Sequence, residues 1–184
     1  KLTDYWFDKT VVDHTFKKFT IHDFSLRGHD SVDAARICGA AALLYSNGTD
    51  NVPGYVTART IYGGDDQVAF SVAASEHSVT TLGINFYKDL VLEGEVAGLV
   101  EILSQKMFEL NLQDEFEQAK VELITIYRLL TERFPTGLLS YVADSYDYWR
   151  VITIILPILK DVIMRREGKL VIRPDSGDPV EMVC

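Results

Sequence analysis

Cysteine is nearly absent from this sequence: Cys38 and Cys184 are the only two, far apart along the chain. They supply neither a disulfide framework nor a metal-ligand spacing, so a reducing cytoplasm is the expected compartment. Basic charge is in deficit. Eighteen Lys and Arg stand against 27 Asp and Glu, a net charge of −9, which argues against non-specific nucleic-acid binding. A local basic pocket for a phosphorylated small molecule remains compatible with that balance. Long apolar runs are missing too. The most apolar stretch, Val151–Leu159, contains Pro157 and is too short to cross a bilayer, and no signal peptide is visible. Neither a membrane nor a nucleic acid is expected among the partners.

What is present is a globular composition. Of 184 residues, 47% are hydrophobic and 24% charged, enough for one domain with a sizeable core. The chain starts at Lys1 without Met and stops at Cys184, where a helix should be gaining its first turns. Both ends read as cut. The expectation is a single α/β barrel-type domain over 1–184, incomplete at both ends, from a longer polypeptide or a severely shortened relative of one.

Strand, polar loop and helix recur along the chain. Phe16–Ile21 (FKKFTI) alternates loosely and reads as a strand running into the loop His22–Gly28. A helix follows from Val32 to about Leu44, with Asp30 or Ser31 as its cap. Tyr45–Asp50 reads as a turn-rich segment, then come a short helix over Tyr55–Tyr62 and a break at Gly63-Gly64-Asp65-Asp66. Val68–Val72 is a strand candidate, and a helix starts near Ser75 or Ser78. Residues 90–134 carry apolar side chains at helical spacing, among them Leu99, Leu103, Met107, Val121, Ile124 and Leu130. They read as a helical insertion interrupted near Gly94, Gly98 and Asn111. Leu138–Ala143 is another strand, delivering Asp144, Ser145, Tyr146 and Asp147 at its end. The helix after it runs to about Glu167, kinked or restarted at Pro157, with Gly168 at its C′ position.

The chain is organised around Leu170–Pro179, LVIRPDSGDP. A short buried strand ends in Arg173, Pro174, Asp175, Ser176 and Gly177, and Asp178-Pro179 opens a helix with Asp178 as N-cap. Arg173 can grip phosphate bidentately, and Asp175 can accept from a pair of hydroxyls. The plainer reading is an ordinary strand–turn–helix connection with a surface ion pair. Repetition of the unit predicts a parallel α/β architecture with its polar loops on one face. Phe24, Arg27, Asp50, His77, Asp147, Arg173 and Asp175 would converge there.

Five segments, in order, then resemble one family: HDFSLRG (His22–Gly28), GTD (Gly48–Asp50), SVAASEHS (Ser71–Ser78), VADSYD (Val142–Asp147) and LVIRPDSGDP. The chain is similar to the nicotinamide phosphoribosyltransferase family, in the form found in phages and bacteria, from about Phe19 to its C-terminus. The resemblance implies a pentosyltransferase of NAD salvage, which joins nicotinamide to phosphoribosyl pyrophosphate and releases nicotinamide mononucleotide and pyrophosphate. It implies homodimers built round an irregular (β/α) barrel of the type II phosphoribosyltransferase kind. It also implies Mg2+ accompanying pyrophosphate, and ATP as a stimulating co-substrate acting through a phosphorylated His.

By that resemblance Phe24 stacks on the pyridine ring and Asp50 takes the carboxamide N–H. Arg27 and Arg173 lie near the amide, pyrophosphate and phosphate groups, and Asp175 accepts from the ribose hydroxyls. His77 is the phosphate acceptor, with Asp147 near it. Ala143 departs from the Ser of animal members, and Ser25-Leu26 replaces a Gly-Tyr pair. The family's Gly-rich loop for the substrate 5′-phosphate has no counterpart in these residues, nor has the N-terminal segment supplying a second stacking aromatic.

Physical chemistry agrees with these roles. A flat, neutral base gains most from stacking in an apolar slot. A carboxylate at Asp50 accepts from a carboxamide and repels a carboxylate, which favours nicotinamide over nicotinate. The pyridine nitrogen attacks with its own lone pair, so no general base is required, and His77 is left for another task. Plainer readings stand beside these: Asp50 as a turn residue, His77 as a helix-start or core His, Phe24 as core. His22-Asp23 matches the doublet of metal phosphohydrolases, but His14 and His29 give no ligand spacing to complete it. Two other functions stay open: a phosphoribosyltransferase for nicotinate or quinolinate, and a truncated, non-catalytic binding chain.

Overall fold

Each strand pairing among the described residues is parallel, the pattern expected where helices connect successive strands. The computed structural model describes residues 2–87 and 89–183. Its contacts divide the chain into two compact units, Lys1–Ser71 and Val72–Cys184.

The first unit opens with helix α1 (Leu2–Thr10), then a 3-10 turn over Lys17–Phe19. The strand expected over Phe16–Ile21 is absent. Local bonds win there: the Phe19 N–H donates to the Phe16 carbonyl at 2.8 Å, and Lys17 Nζ reaches Asp4 and Asp8, each at 3.0 Å. Extended backbone begins only at β1 (His22–Asp23). A 3-10 turn, Ser25–Gly28, leads to α2 (Val32–Ala42), whose cap is Ser31, accepting from the Ala34 N–H at 3.1 Å. The segment expected as turn holds β2 (Gly48–Thr49), paired with β1 in the register His22↔Gly48. Helix α3 (Val52–Thr60) starts earlier than expected because Asn51 caps it, accepting from the Gly54 N–H at 3.0 Å. Gly39 and Gly54 let α2 and α3 touch backbone to backbone, since a Cβ on Gly54 would meet Gly39 Cα at 2.7 Å.

Val68–Val72 is not a strand; only Phe70 bridges, to Gly48. The Asn47 side-chain amide claims the carbonyls of Gln67 and Val68, at 3.0 and 3.1 Å, that a ladder would have used.

The second unit is a three-stranded sheet in the order β3 (Ala73–Ala74), β4 (Thr136–Val142), β5 (Glu167–Arg173). Between β3 and β4 run α4 (His77–Tyr87), α5 (Gly94–Glu109) and α6 (Phe116–Arg128), the last continuing as a π-helical turn, Leu129–Arg133. The expected interruptions fall at Gly94 and Asn111, both at positive φ, while α5 runs through Gly98 unbroken. These helices supply much of the core: Leu103, Met107, Leu123 and Ile126 pack with Leu139, Tyr141, Ile155 and Leu159.

After β4 come α7 (Tyr148–Arg150), a π-helical stretch Val151–Ile155, α8 (Leu156–Ile158) and α9 (Lys160–Arg165). The irregularity lies where expected, because Pro157 has no N–H for the helical ladder. Gly168 is not a helix cap. It lies inside β5 at φ 142°, opposite Gly137, where a Cβ would come 2.0 Å from the Gly137 carbonyl oxygen. The chain is instead turned by Arg166, whose guanidinium donates to the carbonyls of Phe134 at 2.8 Å and Thr136 at 2.9 Å. Helix α10 (Pro179–Val183) is capped by Asp178, which accepts from the Val180 N–H at 2.8 Å. Among the described residues no helix is long and apolar enough to cross a membrane.

Candidate active site

In each unit the polar residues gather at the C-terminal ends of parallel strands, where peptide dipoles and loop freedom favour ligand sites. In the first unit, three extended segments end in Asp23-Phe24, Asp50 and Ser71. Their spacing is fixed by backbone bonds: the Asp50 N–H donates to the Asp23 carbonyl at 2.9 Å, and the Thr49 N–H to the Phe70 carbonyl at 2.9 Å.

Asp23 is built into this frame. Burial alone would raise its pKa, but hydrogen bonds from Ser25 and Asn51 outweigh that and hold the carboxyl below the usual range. Asn51 is fully buried and joins three elements, donating to Asp23 Oδ2 at 3.2 Å and to the Ala35 carbonyl at 3.0 Å while capping α3.

On that frame Phe24 is 45% exposed and stacks on the His22 imidazole, ring centroids 4.4 Å apart and 29° between planes. His22 Nε2 lies 3.4 Å from Asp50 Oδ1, which also accepts from the Ser71 hydroxyl. An open hollow of about 190 Å³ lined by Thr49, Asn51, Val52, Tyr55, Phe70 and Ser71 adjoins this group. Aromatic surface beside a carboxylate suits a flat base with an N–H donor. Arg27 is exposed on the 3-10 turn after Phe24.

In the second unit His77 begins α4. Its Nδ1 is 3.1 Å from Ser145 Oγ, and its Nε2 is 3.3 Å from Asp175 Oδ2 and 3.7 Å from Asp144 Oδ1. The Asp144 side chain is only 6% exposed, and its other oxygen accepts from the Asp175 N–H at 3.1 Å and the Ser176 hydroxyl at 2.5 Å. Arg173 Nε lies 3.9 Å from Asp175 Oδ1. The structure therefore brings His77, Arg173 and Asp175 together. Asp147, expected near His77, instead caps α7, its Oδ1 accepting from the Arg150 N–H at 2.8 Å. The carboxylates on the imidazole are Asp144 and Asp175.

A profile of the nicotinate phosphoribosyltransferase (NAPRTase) family matches residues 19–184. The chain belongs to this family. Among its curated relatives are nicotinamide phosphoribosyltransferases. That of Mycoplasma pneumoniae is 33% identical over 183 residues, covering all of this chain and 30% of that protein. That of Acinetobacter baylyi is 32% identical over 169 residues, 89% of this chain and 27% of the relative. That of Mycoplasma genitalium is 34% identical over 176 residues, 96% of this chain and 29% of the relative. The chain thus spans about 30% of the length of the curated relatives it matches.

Within this phosphoribosyltransferase family member, sequence reasoning missed four side chains that the geometry singles out: His22 beneath Phe24, Ser71 on Asp50, and Asp144 and Ser145 on His77. One signal was available for Asp144. It stands just past the end of β4, where a side chain faces the mouth of the sheet rather than the helix that follows.

Proposed function

We propose that this chain carries the base-binding and leaving-group portions of a nicotinamide phosphoribosyltransferase. The observation that carries this reading is the Phe24–His22 stack beside the Asp50 carboxylate. The family description speaks of nicotinate and the relatives of nicotinamide; Asp50 favours the amide, because a carboxylate ligand would meet like charge there.

In this reaction the pyridine nitrogen attacks the anomeric carbon of phosphoribosyl pyrophosphate. The new N–C bond forms as the C–O bond to pyrophosphate breaks, and pyrophosphate leaves with that electron pair. Positioning of the ring by Phe24 and Asp50, and stabilisation of the departing charge by Arg27 and Arg173, supply the catalysis. Asp175 receives ribose hydroxyls. Among the described residues no three His, Cys, Asp or Glu side chains stand together as a metal site. Magnesium would come with the pyrophosphate oxygens, and Asp144 and Asp175 would be the carboxylates offered to it.

On this reading His77, flanked by Asp144 and Asp175, takes a phosphoryl group from ATP on Nε2, releasing ADP, with Asp147 acting behind it from the cap of α7. In the longer protein the parallel sheets form parts of an irregular barrel, and the enzyme works as a cytoplasmic homodimer. Parallel pairing of the strands among the described residues supports the barrel, and the scarcity of cysteine supports the compartment.

The test is ligand-observed NMR of this chain with nicotinamide, nicotinate and quinolinate in competition. Selective nicotinamide binding that is lost in Phe24→Ala and Asp50→Ala supports the reading. A preference for either acid, or no binding by any of the three bases, overturns it for these residues and favours an acid-specific or non-catalytic chain respectively.

A further inference from the structure

Arg150, 4% exposed, is the one buried cation of the second unit among the described residues, and three side chains meet it. Its guanidinium meets Glu115 Oε2 at 2.6 Å, Gln118 Oε1 at 3.5 Å and Glu122 Oε2 at 3.5 Å. Those positions are spaced i, i+3 and i+7, one face of the α6 segment and the turn before it. At its other end, the Arg150 backbone N–H donates to Asp147 Oδ1. One residue thereby ties the loop Asp144–Asp147 to α6.

Glu122 is a costly partner. It is fully buried on a helix that otherwise packs Ala119, Val121, Leu123, Ile124 and Ile126 into the interior. Its Oε1, and Arg150 Nε, have no hydrogen-bond partner among the described residues. Burial pushes its carboxyl up to about 8, with Arg150 and the Tyr146 backbone N–H pulling the other way and Asp147 adding to the upward push. An apolar pair of similar volume would serve stability as well or better. A buried guanidinium against a carboxyl, each with unmet hydrogen-bonding capacity, is better explained by the geometry it enforces.

The geometry it enforces is that of His77. The tethered loop sets Ser145 on Nδ1 and Asp144 beside Nε2, and Asp144 in turn holds the Asp175–Ser176 turn. We propose that Arg150, anchored by Glu115, Gln118 and Glu122, is a positioning residue for His77. It keeps Asp144 and Ser145 at the imidazole. This deepens the proposed function and rests on its reading of His77 as the phosphate acceptor.

The test uses the full 184-residue chain. Arg150→Met combined with Glu122→Leu removes both polar groups while keeping volume. Two readouts follow His77: its ring 15N shifts in histidine-labelled protein, assigned by their loss in His77→Asn, and its rate of modification by diethyl pyrocarbonate. Thermal melting reports stability separately. If Arg150 serves stability alone, the melting temperature of the double variant shifts while the His77 shifts and reactivity stay those of the parent. If it positions, the double variant melts cooperatively, the His77 ring shifts move, and modification speeds up by about threefold or more as the loop opens more often. A folded double variant with parental shifts and reactivity overturns the proposal. Should that variant fail to fold, Glu122→Gln decides by the same readouts: moved shifts support it and unmoved shifts overturn it. Neither readout depends on turnover. Unchanged His77 in a chain that binds nicotinamide defeats this inference alone, whereas altered His77 in a chain that binds none of the bases defeats the functional reading alone.

Discussion

The two units hold their candidate residues in different ways. In Lys1–Ser71 the buried apolar cluster is small, Ala40, Leu43 and Ala58 with Tyr55, Val68 and Ala69 against it. Its paired strands are two residues long. Position is set instead by polar side chains acting on backbone. Asn51 spans three elements, Asn47 holds the carbonyls of Gln67 and Val68, and the Ser46 hydroxyl sits between the carbonyls of Lys18 and Ile21. In Val72–Cys184 a large core of α5, α6 and two seven-residue strands carries the loops. A hydrogen-bonded frame is sensitive to single polar deletions, and a packed core to lost volume.

The largest expected effect follows from the second half of that contrast. Leu123 is fully buried in the centre of α6. Leu123→Ala should cost about 3 kcal/mol in lost burial and cavity, read from denaturant unfolding followed at Trp149 in a Trp6→Phe background. A loss under about 1 kcal/mol would mean the core collapses around the deletion, and the contrast would fail. Asn51→Ala comes next, at about 2 kcal/mol, since it removes a helix cap and leaves Asp23 Oδ2 and the Ala35 carbonyl without their donor. Trp6 fluorescence in a Trp149→Phe background reports it. A near-neutral result would move the burden in that unit from Asn51 to the Gly39–Gly54 contact.

The same contrast explains what could be seen in the sequence. Strand β4 and the end of β5 were legible because Leu138–Ala143 and Leu170–Ile172 are apolar runs bounded by turn signals; β5 itself starts earlier, at Glu167, and none of its residues is buried, contrary to the buried strand expected there. The caps at Ser31 and Asp178 and the break at Asn111 were legible because each is a local event. Strands β1, β2 and β3 were not, since two residues show no period. The missing strand at Val68–Val72 was hidden by Asn47, twenty residues away in the chain from Gln67. Gly168 misled because a glycine after a helix reads the same whether it caps or allows a close strand contact at Gly137. For the site, the loops were visible and the choice within a loop was not: Asp144 and Asp147 are three residues apart, and only packing shows that one faces His77 and the other Arg150.

Glu122 sharpens the comparison through pH. Its folded-state carboxyl stands at about 8, above the ordinary 4.5. Below pH 4.5 both folded and unfolded forms hold the proton, and its contribution is fully present. Between 4.5 and 8 the folded form holds the proton and the unfolded form does not, so stability falls as pH rises. Above 8 the slope from this group ends. Glu122→Gln removes the slope, and its stability relative to the parent should rise between pH 5 and pH 8 by on the order of 2 kcal/mol, after the weakened attraction to Arg150 is deducted. A constant difference between the two pH values would mean Arg150 keeps the carboxylate ionised throughout.

The smallest effect is the one closest to function. Asp50 contributes little to packing, being part-exposed and held by the Ser71 hydroxyl and His22. Asp50→Ala should therefore leave unfolding almost unchanged while nicotinamide affinity falls about tenfold, roughly 1.4 kcal/mol, the loss of one charge-assisted hydrogen bond. Nicotinate should gain or hold, because the like charge that opposed it is gone. The ratio of the two dissociation constants, measured by competition, is the deciding quantity. If it does not move, Asp50 belongs to the frame with Asp23 and Asn51 rather than to the ligand, and the polar frame of the first unit would serve folding alone. If it collapses toward unity with stability intact, one acid on a hydrogen-bonded scaffold sets which pyridine base this chain accepts.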